Sequence, residues 1–182
     1  MVMVYLFMAD GFEEVEALTV VDILRRAGVE LKTVSIMGRK NVTGSHQIEV
    51  MADLTFEEII ERAEMLILPG GMPGTLHLKA HKGLEQLIFE SAEHGTYLAA
   101  ICAAPTVYGE MGLLRGKKAA CYPGMEDGLI GAEVRYENVV ADDKFITSRG
   151  LGTAIDFALK LVEILKSRDE ADTIAKQIVY AD

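Results

Sequence analysis

Cys102 is the residue best placed for chemistry in this chain. It joins the strand-like run YLAAI to a helix that Pro105 opens, and its neighbours Ala100, Ala103 and Ala104 are all small. A sharp strand-to-helix turn crowds its flanking side chains, so small residues belong there. A thiol at a helix N-terminus meets free N–H groups and the positive end of the dipole, which favour thiolate. The N–H groups of Ala103 and of Gly70 or Gly71 are candidate donors to an oxyanion opposite it. A buried structural cysteine is the competing reading, and the turn pattern is what favours function.

Glu16 is the second candidate. The run Glu13-Glu14-Val15-Glu16 opens a helix, where acids complement the dipole, and that account suffices for Glu13 and Glu14. Glu16 stands between Phe12 and Val20 at four-residue spacing, on the border of the apolar stripe. Buried there, its carboxyl would have a raised pKa and could donate a hydrogen bond to a thiolate. By spacing alone, a solvated face is the simpler account.

Other chemistry-bearing types are less informative. His77 and His81 are four apart with no third ligand type beside them, His94 precedes the helix-ending Gly95, and His46 lies in a polar turn. No metal site and no Cys–His dyad is expected. PGGMPG lacks a Lys-Ser/Thr ending and RGLGT lacks the rest of a dinucleotide fingerprint, so both read as turns. Cys102 and Cys121 are too few for a disulfide framework, which is consistent with a reducing compartment.

The elements that must position these residues alternate along the chain. Strands are expected at Val2 to Ala9, Leu31 to Met37, Met65 to Leu68, Tyr97 to Ile101 and Lys118 to Tyr122, with a short edge strand at Ile48 to Met51. A hairpin is expected from Arg135 to Thr147 around Asp142-Asp143. Helices are expected at Phe12 to Ala27, Leu54 to Arg62, Leu84 to Glu93, Pro105 to about Gly112, Thr153 to Lys166 and Asp169 to Val179. In the first helix Val15, Leu18, Val21 and Leu24 form the apolar stripe. Strands separated by helices imply right-handed crossovers and a mainly parallel, doubly wound α/β sandwich. Ligands bind outside the carboxyl ends of such strands, where Asp10-Gly11, Pro69 to Gly74 and Cys102 to Pro105 can converge.

The whole composition sets bounds. The 182 residues are half apolar, enough for one domain with a substantial core. The net charge of -10 would repel phosphate backbones and anionic lipid, so nucleic acid and membrane are poor partner choices. The apolar N-terminus lacks a basic flank and a cleavage site, and no run approaches the ~18 apolar residues needed to span a bilayer. A cytoplasmic protein is expected.

ADGFEEVE, the RRAG helix end, LPGG, AAICAAPT and ITSRGLGTAIDFAL occur in an order that resembles the ThiJ/PfpI superfamily. The resemblance spans nearly the whole chain and is greatest to the branch of the parkinsonism-associated deglycase and its bacterial YajL-like relatives. It implies a flavodoxin-like, usually homodimeric protein without a cofactor. It implies that Cys102 is the nucleophile on a strained elbow, that Glu16 hydrogen-bonds its thiol or sulfinate, and that Gly70, Gly71 and Ala103 form the oxyanion side. It places Arg149 beside the pocket and Arg26 near the dimer contact. Ala104 and Leu151 depart from the glycine and proline of many members. Tyr122 replaces a histidine that some relatives place near the cysteine, which removes a candidate base and counts against a protease. The implied activity is a cofactor-independent glyoxalase or deglycase acting on methylglyoxal or its adducts. The alternatives are a redox sensor or stress-response chaperone in which peroxide oxidises Cys102 to sulfinate, and a dimeric binding module without turnover.

Overall fold

The computed structural model describes residues 3–181, so the Val2 start expected for the first strand lies outside them. Along the chain come β1 (Met3–Met8), α1 (Glu14–Arg26), β2 (Glu30–Ser35), β3 (Asn41–Thr43), β4 (Glu49–Met51), β5 (Leu54–Thr55) and β6 (Met65–Leu68). They are followed by α2 (Gly74–Ala80), α3 (Lys82–Glu93), β7 (Tyr97–Ile101), α4 (Pro105–Glu110), β8 (Lys118–Ala119) and β9 (Glu133–Val134). The chain closes with β10 (Val139–Asp142), β11 (Phe145–Ser148), α5 (Ala154–Leu165) and α6 (Arg168–Gln177). Seven strands form one sheet in the order β10-β11-β7-β6-β1-β2-β5. All its pairings are parallel except the β10–β11 hairpin.

Period-two alternation divides the core between the two faces. Val4, Leu6, Met8, Ile67 and Ile101 point to the side covered by α1, α5 and α6. Tyr5, Phe7, Leu66, Leu68 and Ala100 point to the side covered by α2, α3 and α4. Burial on both faces is why these strands read as unbroken apolar runs. The order reverses between β1 and β6, and the loops leaving β1, β6 and β7 meet at that end of the sheet. Among the described residues no helix is long and apolar enough to cross a membrane.

Several expected elements differ. Leu54 to Arg62 is not a helix but the two-residue β5 and a single 3-10 turn at Phe56–Glu58. The Glu58 carboxylate accepts the Thr55 N–H at 2.7 Å, closing a turn, and Ile60 is 90% exposed, so no apolar face sustains a helix. Lys118 to Tyr122 is regular only at β8, which pairs with β9 outside the main sheet. The N–H groups of Ala120 and Tyr122 bond instead to Thr147 Oγ1 and to the Cys102 carbonyl. The edge strand near Ile48 is β4, paired with β3 as a separate ribbon. The turn of the hairpin falls at Asp143, at φ +54°. The short α2 has no counterpart in the sequence reading, since GTLHLKA opens on glycine and lacks a full apolar stripe.

The stripe of α1 is rotated from its expected position. Val15 and Leu18 are 46% and 37% exposed, while Glu14, Glu16, Ala17, Val20, Ile23 and Leu24 face inward.

Candidate active site at the Cys102 elbow

Cys102 has φ +65°, a left-handed conformation that costs a side-chain-bearing residue about 1–2 kcal/mol. Its surroundings hold it there. Its N–H donates to the Ser148 carbonyl at 3.0 Å, and its carbonyl accepts the Tyr122 N–H at 2.7 Å. The flanking Ala100, Ala103 and Ala104 are buried, as a crowded elbow requires.

The loop after β6 closes on it from the other side. A methyl group at Gly70 would fall 2.6 Å from Cys102 Cβ, 3.1 Å from its Sγ and 2.7 Å from Glu16 Oε2. Gly71 has φ +93°, and a Cβ there would strike the Glu13 nitrogen at 2.3 Å. The Gly70 carbonyl accepts the Glu13 N–H at 2.8 Å, and the Gly11 carbonyl accepts the Gly74 N–H at 3.2 Å. The three loops at the carboxyl end of the sheet therefore interlock.

Glu16, 1% exposed, lies beneath this junction and accepts the Gly70 N–H at 2.9 Å. Its solvated-face reading is overturned by the rotation of α1. Burial pushes its carboxyl up to about 7, against the opposing hydrogen bonds of the Cys102 thiol and the Gly70 N–H. Burial, followed by the charge and acceptor character of Glu16, pushes the Cys102 thiol up to about 12. The amides of Ala103 and Gly71 pull it back. While Glu16 is charged, burial beside its carboxylate therefore opposes the thiolate that the helix end and the amides of Ala103 and Gly71 favour. The helix cap is Ala104, two residues on, and burial beside a carboxylate outweighs the dipole. Gly70 spends its N–H on Glu16, so Ala103 and Gly71 are the amides facing sulfur.

Tyr122 and Arg149 flank the elbow. The Tyr122 ring is 50% exposed and lies 3.5 Å from where a Gly150 Cβ would stand. The Arg149 guanidinium lies 5.9 Å from the centroid of Tyr136 and donates to the Tyr136 carbonyl at 3.4 Å. Arg26 does not line this pocket. It pairs with Asp22 at 2.6 Å on the outer side of α1, ten residues or roughly 15 Å from Glu16. Cys121 is buried in the core cluster of the α2–α4 face, whereas Cys102 packs against the opposite cluster.

None of the four histidines bonds to Cys102 among the described residues. His77 meets the Asp10 carbonyl at 2.9 Å, His81 caps α3, and His94 meets the Glu90 carbonyl. His77 and His81 do not share a helix face, because His81 ends α2. Glu14 is the structural residue the sequence reading passed over. It is 3% exposed and accepts the His46 N–H at 2.7 Å, fastening the β3–β4 turn to α1. Burial opposes its charge, but the N–H groups around it hold its carboxyl below the usual range. Its place with Ala17 and Val21, three and seven residues on, was the available signal. Glu13, Glu14 and His46 bring potential ligand atoms within 4.8 Å of one another. Ser45 and the His46 backbone N–H already satisfy the Glu14 oxygens, so this group reads as a turn clamp.

The family model described as the DJ-1/PfpI family matches residues 2–164. Protein DJ-1 homolog B of Arabidopsis thaliana is 37% identical over 175 residues, covering 94% of this chain and 40% of that protein. The chain therefore spans less than half the length of that relative. The glutathione-independent glyoxalase DJR-1.2 of Caenorhabditis elegans is 28% identical over 172 residues, covering 93% and 91% of the two chains. Among solved structures, oxidized Toxoplasma gondii DJ-1 superposes with a TM-score of 0.96 at 35% identity, over 100% of both chains. A strained cysteine, a buried glutamate and an interlocked glycine loop thus accompany a family match over most of the length, and the chain belongs to the DJ-1/PfpI family.

Proposed function

We propose that Cys102 is the nucleophile of a cofactor-independent reaction on 2-oxoaldehydes such as methylglyoxal, with Glu16 as its proton carrier. The observation that carries this reading is the shared position of the two groups at Gly70, with the carboxyl raised to about 7, where it can both take and return a proton. As a carboxylate, Glu16 takes the thiol proton while sulfur bonds to the aldehyde carbon. The resulting alkoxide has the N–H groups of Ala103 and Gly71 as donors. Return of the proton gives a hemithioacetal and frees Glu16 as a base. Glu16 then moves the aldehyde hydrogen, as a proton, to the neighbouring carbon. The aldehyde carbon is oxidised and the ketone carbon reduced within one molecule, giving a lactate thioester that water cleaves to lactate and free thiol. A deglycase acting on methylglyoxal adducts would use the same thiol.

The test is lactate formation from methylglyoxal in the presence of a chelator. Cys102→Ala is expected to abolish it, and Glu16→Gln to lower kcat by roughly 10²–10⁴. Undiminished turnover by Cys102→Ala would end this reading.

A redox role is the second reading, favoured by the same amides. Ala103, Gly71 and a protonated Glu16 form a donor set for a sulfinate, and a solved relative is described as oxidized. Mild peroxide is then expected to add two oxygens at Cys102 and none at Cys121, read by peptide mass. Equal oxidation of both thiols would count decisively against it. The proposed setting is a single-domain, cytoplasmic homodimer.

A further inference from the structure

We propose that Glu13 is a positioning residue through which His46 tunes the proton held by Glu16 and Cys102, so that the two titrations oppose each other and widen the working pH range of the site. This rests on the reading of Glu16 and Cys102 as the reacting pair and gives its regulation.

The contacts run without a break from the surface to the pair. Glu13 caps α1, and its N–H donates to the Gly70 carbonyl at 2.8 Å, while the Gly70 N–H donates to Glu16 at 2.9 Å. One residue of the glycine loop thus fixes both acids. On its other side Glu13 meets the β3–β4 turn. The Ser45 hydroxyl lies 3.2 Å from Glu13 Oε2, and His46 Nδ1 lies 3.6 Å from that oxygen and 3.1 Å from Glu14 Oε2. The Glu13 side chain is 14% exposed and that of His46 is 68% exposed, so the imidazole is the end of the series open to water.

The ring is surplus to the fastening of the turn. The Glu14 carboxylate already accepts the backbone N–H groups of His46 and Ile48, and the Phe12 carbonyl accepts the Ser45 N–H at 2.8 Å. Among the described residues His46 is the histidine whose ring meets carboxylates, whereas His77, His81 and His94 bond backbone groups.

The electrostatics give the direction. The Glu14 hydrogen bond, then the charges of Glu13 and Glu14, raise the imidazole above its ordinary range. Burial is the first cause that lifts Glu16 to about 7, and the charge of Glu13 adds to it. The charged or titratable groups acting on Glu16 are therefore Cys102 and Glu13, and those acting on His46 are Glu13 and Glu14. An imidazolium beside Glu13 offsets its charge, and Glu16 then ionises at lower pH. Once His46 is neutral that charge is uncompensated, and Glu16 keeps its proton to higher pH. Each proton lost from His46 makes the next one harder to take from Glu16, which spreads the titration of the pair. Linkage requires the reverse effect as well, so ionisation of Glu16 must raise the proton affinity of His46.

The experiment follows the pH dependence of Cys102 alkylation by iodoacetamide, read by peptide mass with a chelator present, and the His46 imidazole resonances in NMR spectra. In the native protein the alkylation rate should rise through a broad inflection. His46→Gln should move that inflection up by at least ~0.3 pH unit and sharpen it, and Glu13→Gln should move it down. Adding His46→Gln to Glu13→Gln should produce no further shift. The His46 inflection should fall in Glu13→Gln and also in Glu16→Gln. An alkylation profile indifferent to His46→Gln, a His46→Gln shift that persists without Glu13, or imidazole resonances indifferent to Glu16→Gln would overturn the proposal. The expected shifts without lactate from methylglyoxal would keep the coupling and remove the glyoxalase reading, whereas lactate formation with both profiles indifferent to the variants would do the opposite.

Discussion

Glu16 and Cys102 act as one proton-holding unit rather than two independent groups. While the carboxylate is charged it opposes a second charge on sulfur, and once protonated it becomes a donor to sulfur. The same coupling has a consequence for stability. Burial raises the Glu16 carboxyl from the ordinary 4.5 to about 7, so the native state holds this proton more tightly than the unfolded chain. The contribution is fully present below pH 4.5 and is lost as pH rises to about 7. The difference corresponds to ~3 kcal/mol. Glu16→Gln retains an acceptor for the Gly70 N–H and has no charge to bury. Its stability relative to the native protein should therefore improve between pH 4.5 and 8, measured as the difference in urea midpoints. Parallel pH curves for the two proteins would mean that Glu16 ionises in the fold as it does in the unfolded chain.

At the scale of elements, the sequence carried the strands well and the helix faces less well. Met65 to Leu68 and Tyr97 to Ile101 are unambiguous because strands buried on both sides leave no polar residue to blur their limits. The small residues around Cys102 revealed the elbow for a similar reason, since only a crowded turn explains three alanines there. The face of α1 was misread because a carboxylate counts as polar in any periodicity. Glu14 and Glu16 lie on the inner side, where one is satisfied by the β3–β4 turn and the other by Gly70. Those partners lie more than thirty residues away in the chain, so local spacing does not record them. The Cys102 proton equilibrium likewise depends on the depth of burial and on a carboxylate brought in by another element, neither of which local spacing records. The exchange of a helix for β5 and a turn after Asp53 is a local matter, decided by Thr55 and Glu58.

At the scale of the whole molecule, the rotation of α1 leaves Val15 and Leu18 on the outside. They line a groove together with Ile48, Ile155, Ile178 and Val179, with Arg26 and Asp22 also in its wall. Four of these apolar side chains are between 37% and 91% exposed: Leu18, Val15, Ile48 and Val179. A contiguous apolar groove bordered by an ion pair is the form of an association surface, and a second copy meeting it about a two-fold axis would bring like residues together. For the proposed homodimer, sedimentation at micromolar concentration should give about twice the 19.9 kDa chain mass. Leu18→Glu should shift it toward the monomer, because a charge at the contact would be desolvated and would face its own copy. Leu18 lies on the outer side of α1, so circular dichroism should show the fold retained. The same helix holds Glu16 on its inner side, so loss of the partner should also loosen the hold on Cys102 and slow the proposed turnover. A native protein that sediments as a monomer under these conditions would remove the groove as a dimer contact and separate the site from assembly.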